Sequence, residues 1–206
     1  MPVTNYLWDV ASDNLLMETD ASGATTAVYT NEPRVFGELV SQRRGGVTSY
    51  YHFDAQRSTR ELTDANQNVT DAATYTAFGE AVASSGVTSN PFGYQGALGY
   101  YVNPETNDLY VRARFYAPQL GRFCSRDPRG LWPGEFDPYS YCNNDPVGSV
   151  DPSGQLRITP EKQQLGRRPC GSEASASWLY LLEVDMQPGR RPGRTRESAP
   201  GESGAL

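Results

Sequence analysis

The sequence is poor in the nitrogen and sulfur ligands of zinc sites and in imidazole. It has a single histidine, His52, and three cysteines, Cys124, Cys142 and Cys170, among 206 residues. A zinc site built on histidines needs a second His, and no two cysteines form a CxxC pair. Three scattered cysteines are too few for a disulfide scaffold. A Cys124–Cys142 bridge is conceivable, but the simpler expectation makes both small apolar fillers of a packed interior. His52 sits in the strand-like run Tyr50-Tyr51-His52-Phe53-Asp54 and is expected in the core or on a sheet face. No run approaches the ~18 to 20 apolar residues of a membrane span, and Met1-Pro2-Val3-Thr4-Asn5 lacks the basic-then-apolar pattern of a signal peptide. The sequence therefore reads as soluble, with no membrane segment and no address. Only 37% of residues are hydrophobic, which argues against a large helical bundle.

What is abundant is turn-forming and aromatic: 20 Gly, 15 Pro and 13 Tyr. Lysine is nearly missing, since 17 of the 18 basic residues are Arg and Lys162 is the exception. Arg makes planar, bidentate contacts with carboxylates and stacks on rings, which suits an acidic, aromatic β framework. Charge divides near Leu156. Residues 1–156 hold 10 Arg and 18 acids, a net −8, whereas 157–206 hold 8 basic and 6 acidic residues, a net +2. Of 23 aromatics, only Trp178 and Tyr180 follow that point.

Residues 1–85 read as two copies of one unit. Tyr6-Leu7-Trp8-Asp9 is echoed by Tyr51-His52-Phe53-Asp54, Thr19-Asp20 by Thr63-Asp64, Tyr29 by Tyr75, and Phe36-Gly37-Glu38 by Phe78-Gly79-Glu80. Offsets that stay near 45 residues mark stacked supersecondary units. Within each, a strand, a tight turn and a strand are expected: 15–20, 21–23 and 24–29, then 60–64, 65–68 and 69–75.

Between 86 and 156 the β character continues in shorter pieces. Phe92-Gly93-Tyr94-Gln95-Gly96 and Gly99-Tyr100-Tyr101-Val102 are aromatic runs, and 103–108 is a turn. Leu109 to Tyr116 reads as one strand, with Leu109, Val111, Ala113 and Phe115 on one face and Tyr110, Arg112, Arg114 and Tyr116 on the other. From 117 the chain turns repeatedly, including at Pro133-Gly134. Asp127-Pro128-Arg129-Gly130, Asp145-Pro146-Val147-Gly148 and Asp151-Pro152-Ser153-Gly154 each fit a β-turn, with Asp at its start, Pro fixing the second position and Gly ending it. Apart from Trp178-Leu179-Tyr180-Leu181-Leu182, the tail 157–206 is Gly, Pro, Ser, Arg and Glu, too polar to offset its chain entropy, and is expected to be disordered.

Taken in order, Leu109-Tyr110-Val111-Arg112-Ala113-Arg114-Phe115-Tyr116, Gly121-Arg122-Phe123, Ser125-Arg126-Asp127-Pro128-Arg129-Gly130-Leu131, Tyr139-Ser140-Tyr141-Cys142-Asn143-Asn144-Asp145-Pro146 and Val150-Asp151-Pro152-Ser153-Gly154 resemble the RHS repeat-associated core domain. The units near 45 residues resemble YD repeats. The resemblance runs from about residue 5 to 155. It implies an all-β chain: a YD-repeat hairpin ribbon (1–85), part of a spiral shell, closed by a turn-rich core cap (86–156). Full-length relatives include polymorphic toxins, toxin-complex C components and the teneurin shell, which implies a secreted or cell-surface setting. The partners implied are the remaining YD-repeat shell or another RHS chain.

In many bacterial members this cap is an intramolecular aspartyl protease, a chemistry that needs two carboxylates close enough to share a proton. By motif position the resemblance assigns Asp127 and Asp151 as that pair, Arg114 as the supporting cation, and Gln155–Leu156 as the bond cut. Relatives commonly carry Leu where this chain has Gln155. The leading expectation is a structural shell or cap fragment, with self-cleavage as the alternative and a toxin or nucleic-acid-binding tail behind both.

Other functions have weaker support. The eight positive charges of the tail are diluted by six negative ones, a weak patch for nucleic acid or anionic lipid. Tyrosines can stack on sugars, yet here they mark repeat positions that pack between strands. Gly93, Gly96 and Gly99 have no helix after them to make a phosphate site. No cofactor and no metal are called for.

Overall fold

The computed structural model describes residues 3–130 and 137–159. The turn expected at Pro133-Gly134, Cys170 and the tail from 160 onward lie outside the described residues. Eight antiparallel strands form one sheet in chain order: β1 (Thr4–Trp8), β2 (Leu15–Asp20), β3 (Thr25–Asn31), β4 (Leu39–Arg44), β5 (Val47–Phe53), β6 (Thr59–Thr63), β7 (Val69–Tyr75) and β8 (Ala81–Ser85). Each repeat therefore supplies four strands; the matching landmarks fall on β1 with β5, β2 with β6 and β3 with β7, while Phe36-Gly37-Glu38 and Phe78-Gly79-Glu80 lie just before β4 and β8.

The repeated aspartates make the turns. Between β2 and β3, Oδ1 of Asp20 accepts the N–H groups of Ser22 (2.8 Å) and Ala24 (3.0 Å). Between β6 and β7, Oδ1 of Asp64 does the same for Asn66 (2.8 Å) and Asn68 (2.9 Å). Asp54 accepts from Gln56 and Ser58, and Asp9 from Ala11. A short acidic side chain that satisfies backbone donors two and four residues on fixes the reversal locally. The β4–β5 hairpin uses another device: Gly45 and Gly46 both take positive φ, 56° and 83°, as a two-residue turn matched to strand twist requires.

Alternation then sorts the two faces of this sheet. Leu15, Ala27, Tyr29, Leu39, Tyr51 and Leu62 are buried, while Leu16, Val28, Val40 and Tyr50 are exposed. The buried face packs against Phe92 and Tyr101, with Trp8, Phe53 and Tyr110 at the margin. One face of the ribbon is thus covered by the cap.

The cap holds a four-stranded sheet, in the order β12-β11-β10-β9, made of β9 (Tyr101–Val102), β10 (Leu109–Val111), β11 (Arg114–Ala117) and β12 (Arg122–Phe123). Around it lies a core rich in tyrosine: Tyr94, Tyr100, Tyr116 and Tyr141 with Phe123, Leu98, Val111 and Val150. Buried hydroxyls need partners, and these have them. Tyr94 donates to the Ala77 carbonyl (2.8 Å), Tyr116 to Phe78 (2.7 Å) and Tyr100 to Asp151 (2.8 Å), while the hydroxyls of Tyr100 and Tyr141 lie 3.2 Å apart. Two of those carbonyls belong to the β7–β8 connection, so the tyrosine tips also tie the cap to the ribbon.

A second polar seam joins the same parts. Glu18, on the buried face of β2, receives hydrogen bonds from the hydroxyls of Tyr29 (2.6 Å) and Tyr101 (3.3 Å) and pairs with Arg44 at 3.0 Å.

The structure corrects two expectations. Residues 109–116 are a hairpin, β10 and β11, because Arg112 takes φ +50° and reverses the chain. Beyond that turn the faces swap: Arg114 and Tyr116 are buried and Phe115 is exposed. Cys142 is buried as expected, but Cys124 is exposed and both thiols are free. His52 lies on the exposed face of β5, its Nε2 2.9 Å from the Thr63 hydroxyl.

If the ribbon is held by its covered face, truncating that face is costly and truncating the other is not. Leu62→Ala, at 1% exposure, should lower unfolding free energy by about 2–5 kcal/mol. Val82→Ala, at 66% exposure, should change it by less than about 0.5 kcal/mol. Urea denaturation followed by tyrosine fluorescence measures both.

Candidate active site

The cap's final turn is gripped by the hairpin turn between β10 and β11. Three consecutive residues hold three consecutive carbonyls: an Nη of Arg112 donates to Pro152, the N–H of Ala113 to Ser153 (3.3 Å), and Nε of Arg114 to Gly154. Gly154 has φ +70°, and a Cβ there would run into the Val111 carbonyl oxygen. Only glycine lets the two segments lie this close.

With the turn so placed, Arg114 meets both predicted aspartates. Its Nη2 lies 3.0 Å from Oδ2 of Asp127 and 3.3 Å from Oδ2 of Asp151. All three side chains are buried, at 4–6% exposure. Nη1 donates to the Pro138 carbonyl at 3.2 Å, and the guanidinium carbon stands 3.5 Å over the Phe123 ring. Asp127 is fixed by its own turn: Oδ1 accepts the N–H of Arg129 (2.8 Å), and its N–H donates to Pro138 (2.9 Å).

Asp151 is bound to the candidate bond itself. Its Oδ1 accepts the N–H groups of Gln155 (3.0 Å) and Leu156 (2.9 Å) and the hydroxyl of Ser153 (3.2 Å). The nitrogen that would leave on hydrolysis of Gln155–Leu156 is thus in contact with a carboxylate. Burial pushes the Asp151 carboxyl above its ordinary pKa, against the pull of the Leu156 amide and of Arg114. The electrostatic reason is simple. One guanidinium faces two carboxylates, so a fully ionised trio would bury a net negative charge, and protonating one acid relieves it.

All five residues assigned from the motifs, Arg114, Asp127, Asp151, Gln155 and Leu156, are brought together. Others were not foreseen. Arg129 donates from Nε to Oε1 of Gln155 at 2.9 Å, a polar seat for that side chain. Tyr100 and Ser153 also brace Asp151. The Asp-Pro-x-Gly pattern contained Ser153 and Arg129 but gave no sign of what their side chains reach. A buried pair of carboxyl groups, one of them raised by burial and in contact with an amide nitrogen, is suited to general acid–base chemistry. Among the described residues, no group of three or more His, Cys, Asp or Glu could hold a metal ion.

Removing the cation should expose this electrostatic design. Arg114→Met leaves two buried carboxylates unpaired, which costs about 3–5 kcal/mol at neutral pH. In that variant the Asp151 carboxyl, already raised by burial, loses the Arg114 charge that pulled it down, so stability is retained below its unfolded pKa and lost as pH rises through the folded one. Denaturant titrations at pH 4.5 and pH 7.5 should show a smaller deficit at the acid pH.

No family model matches the chain. It is 35% identical over 158 residues to the tRNA3(Ser)-specific nuclease WapA of Bacillus spizizenii, covering 74% of this chain and 7% of that protein. It is 36% identical over 150 residues to the double-stranded DNA deaminase toxin A of Burkholderia cenocepacia, covering 69% of this chain and 10% of that one. Among solved structures it resembles a chain of the TcdB2-TccC3-Cdc42 crystal structure, with a TM-score of 0.58 and 16% identity over 75% of this chain and 8% of the other. It also resembles a chain of the Photorhabdus luminescens Tc holotoxin pore, with a TM-score of 0.55 at 17% identity over 77% and 8%. At those identities the structural matches speak for the fold, and the chain spans a tenth or less of each relative named. With its paired four-strand repeats and its turn-rich aromatic cap, the chain belongs to the RHS-repeat proteins.

Proposed function

We propose that this chain is a shell element: the closing cap of an RHS β-shell, together with the last turns of ribbon that lead into it. One observation carries this reading. The cap covers one face of the eight-stranded sheet, yet β1 pairs only with β2 among the described residues, and Thr4 to Leu7 are exposed. A sheet finished on one face and open at its leading edge is built to be extended by a further strand. Additional YD repeats or another RHS chain would supply it. Nuclease and deaminase activities belong to the relatives that carry those names, and this chain covers too small a share of either to inherit them.

The open edge predicts self-association when no extending strand is present. Light scattering should show mass rising with concentration, and Thr4→Lys with Leu7→Lys, charges placed on the edge strand, should suppress it. A monodisperse monomer at every concentration would argue against an extendable edge.

A second reading rests on Arg114 bringing Asp127 and Asp151 together while Asp151 accepts the Leu156 N–H: self-cleavage at Gln155–Leu156. Asp127 takes a proton from a water molecule as that water's oxygen bonds to the Gln155 carbonyl carbon. Asp151 gives its proton to the Leu156 nitrogen, the C–N bond breaks, and a new carboxylate and a new amine result. Because Asp151 must enter protonated, the rate should fall as pH rises through its elevated pKa. Intact mass spectrometry during incubation should show fragments 1–155 and 156–206, absent in Asp127→Asn and Asp151→Asn. A chain that stays whole at every pH would sink this second reading.

A further inference from the structure

Arg112 has no assigned role, yet it touches three separate parts of the fold. Its Nη1 donates to the carbonyls of Leu98 (3.0 Å) and Pro152. On its other side, Nη2 and Nε donate to the carbonyl of Asp13 at 3.0 and 3.2 Å. The guanidinium carbon also lies 4.3 Å from the centroid of Phe36. Asp13 is in the β1–β2 turn and Phe36 in the β3–β4 loop of the first repeat. Those two connections are themselves joined, because the N–H of Phe36 donates to Ser12 (3.0 Å) and the Asn14 amide to the Arg34 carbonyl (3.1 Å). One planar cation thus spans the first repeat and the turn that carries Asp151. Burial pulls Arg112 down only to about 10, so it stays charged at neutral pH. Its hydrogen bonds go to carbonyl oxygens, which require a fork of donors rather than a point charge.

We infer that Arg112 is a positioning residue that makes the alignment of the Gln155–Leu156 amide on Asp151 depend on a docked first repeat. Where that bond is cut, this couples cleavage to an assembled ribbon. The cleavage half of the inference rests on the self-cleavage reading; the coupling half stands on the contacts alone. Undocking the first repeat removes the Asp13 carbonyl and the Phe36 ring from Arg112, frees it to rotate, and releases Pro152. The carbonyls of the Asp151 turn then keep the grip of Ala113 and Arg114 but lose that of Arg112, and the Leu156 nitrogen drifts from Asp151.

The test is amide hydrogen exchange on the full chain, in an uncleaved Asp127→Asn background, for Arg112→Gln, Arg112→Lys and Phe36→Ala. Loss of buried hydrogen bonds to a charged group should speed exchange of the Gln155 and Leu156 amides by about tenfold or more. Exchange in β10 and β11 should stay unchanged. Arg112→Lys should not restore protection, because it keeps the charge without the fork. Phe36→Ala is the decisive variant, since the Phe36 ring meets the Arg112 guanidinium and its N–H goes to Ser12, so its link to the 151–156 turn runs through Arg112. Faster exchange there supports the coupling, and unchanged exchange overturns it. A rise spread evenly over the whole cap would also overturn it, by showing a general packing role. In an Asp127-intact chain that cleaves, the Phe36→Ala rate should fall by a similar factor. An intact chain that never cleaves defeats the self-cleavage reading, and the exchange data still decide the coupling.

Discussion

One buried guanidinium sets the terms for the end of this chain. Arg114 faces Asp127 and Asp151 with the same nitrogen, a sharing that cannot neutralise both acids and that leaves room for one proton between them. Everything around it serves to hold that arrangement in place. Phe123 lies beneath the guanidinium, Pro138 and Gly154 take its remaining donors, and Gly154 lacks the Cβ that would push the last turn away. The carboxylates are in turn tied to their own backbones, Asp127 at Arg129 and Asp151 at Gln155 and Leu156. A trio like this is costly to bury and gives weak evidence for stability as such. Its geometry makes chemical sense because it ends on an amide nitrogen.

The larger fold solves a problem of composition. With few aliphatic residues to spend, the chain uses tyrosine as its main core material, and tyrosine brings hydroxyls that must be satisfied. The structure turns that requirement into the connections between cap and ribbon. Tyr94 and Tyr116 reach carbonyls of the β7–β8 connection, and Tyr101 reaches Glu18 on β2. Arg112 reaches the first repeat from the cap's turn. Directional polar contacts of this kind fix how two apolar surfaces meet, which nonspecific burial alone does not.

Much of this was readable in the sequence, and the reasons for the exceptions are physical. The repeat was legible because its aspartates act locally: Asp20 and Asp64 bind amides two and four residues ahead, so spacing alone reveals them. The site residues were legible as a set through their ordered motifs. Arg112 was misread because alternation assumes that φ stays negative, and an arginine at φ +50° sends the chain back on itself with no glycine to announce it. Arg129 with Gln155, and Arg112 with Asp13, join residues far apart in sequence. Such contacts follow from how the turns stack, and no local pattern encodes them. Cys124 shows the converse: its type favours burial, but it follows β12 where the chain leaves the core.

The central claim is that Arg114 holds two carboxylates in one buried site and that burial raises the Asp151 carboxyl above its ordinary pKa. Carbon NMR of the aspartate carboxyls across a pH titration observes this directly. The account predicts that Asp151 titrates above the 3.8 of an unperturbed aspartate and that its transition changes when Asp127 is replaced by Asn. An Asp151 that titrates at or below 3.8, indifferent to Asp127, would contradict it.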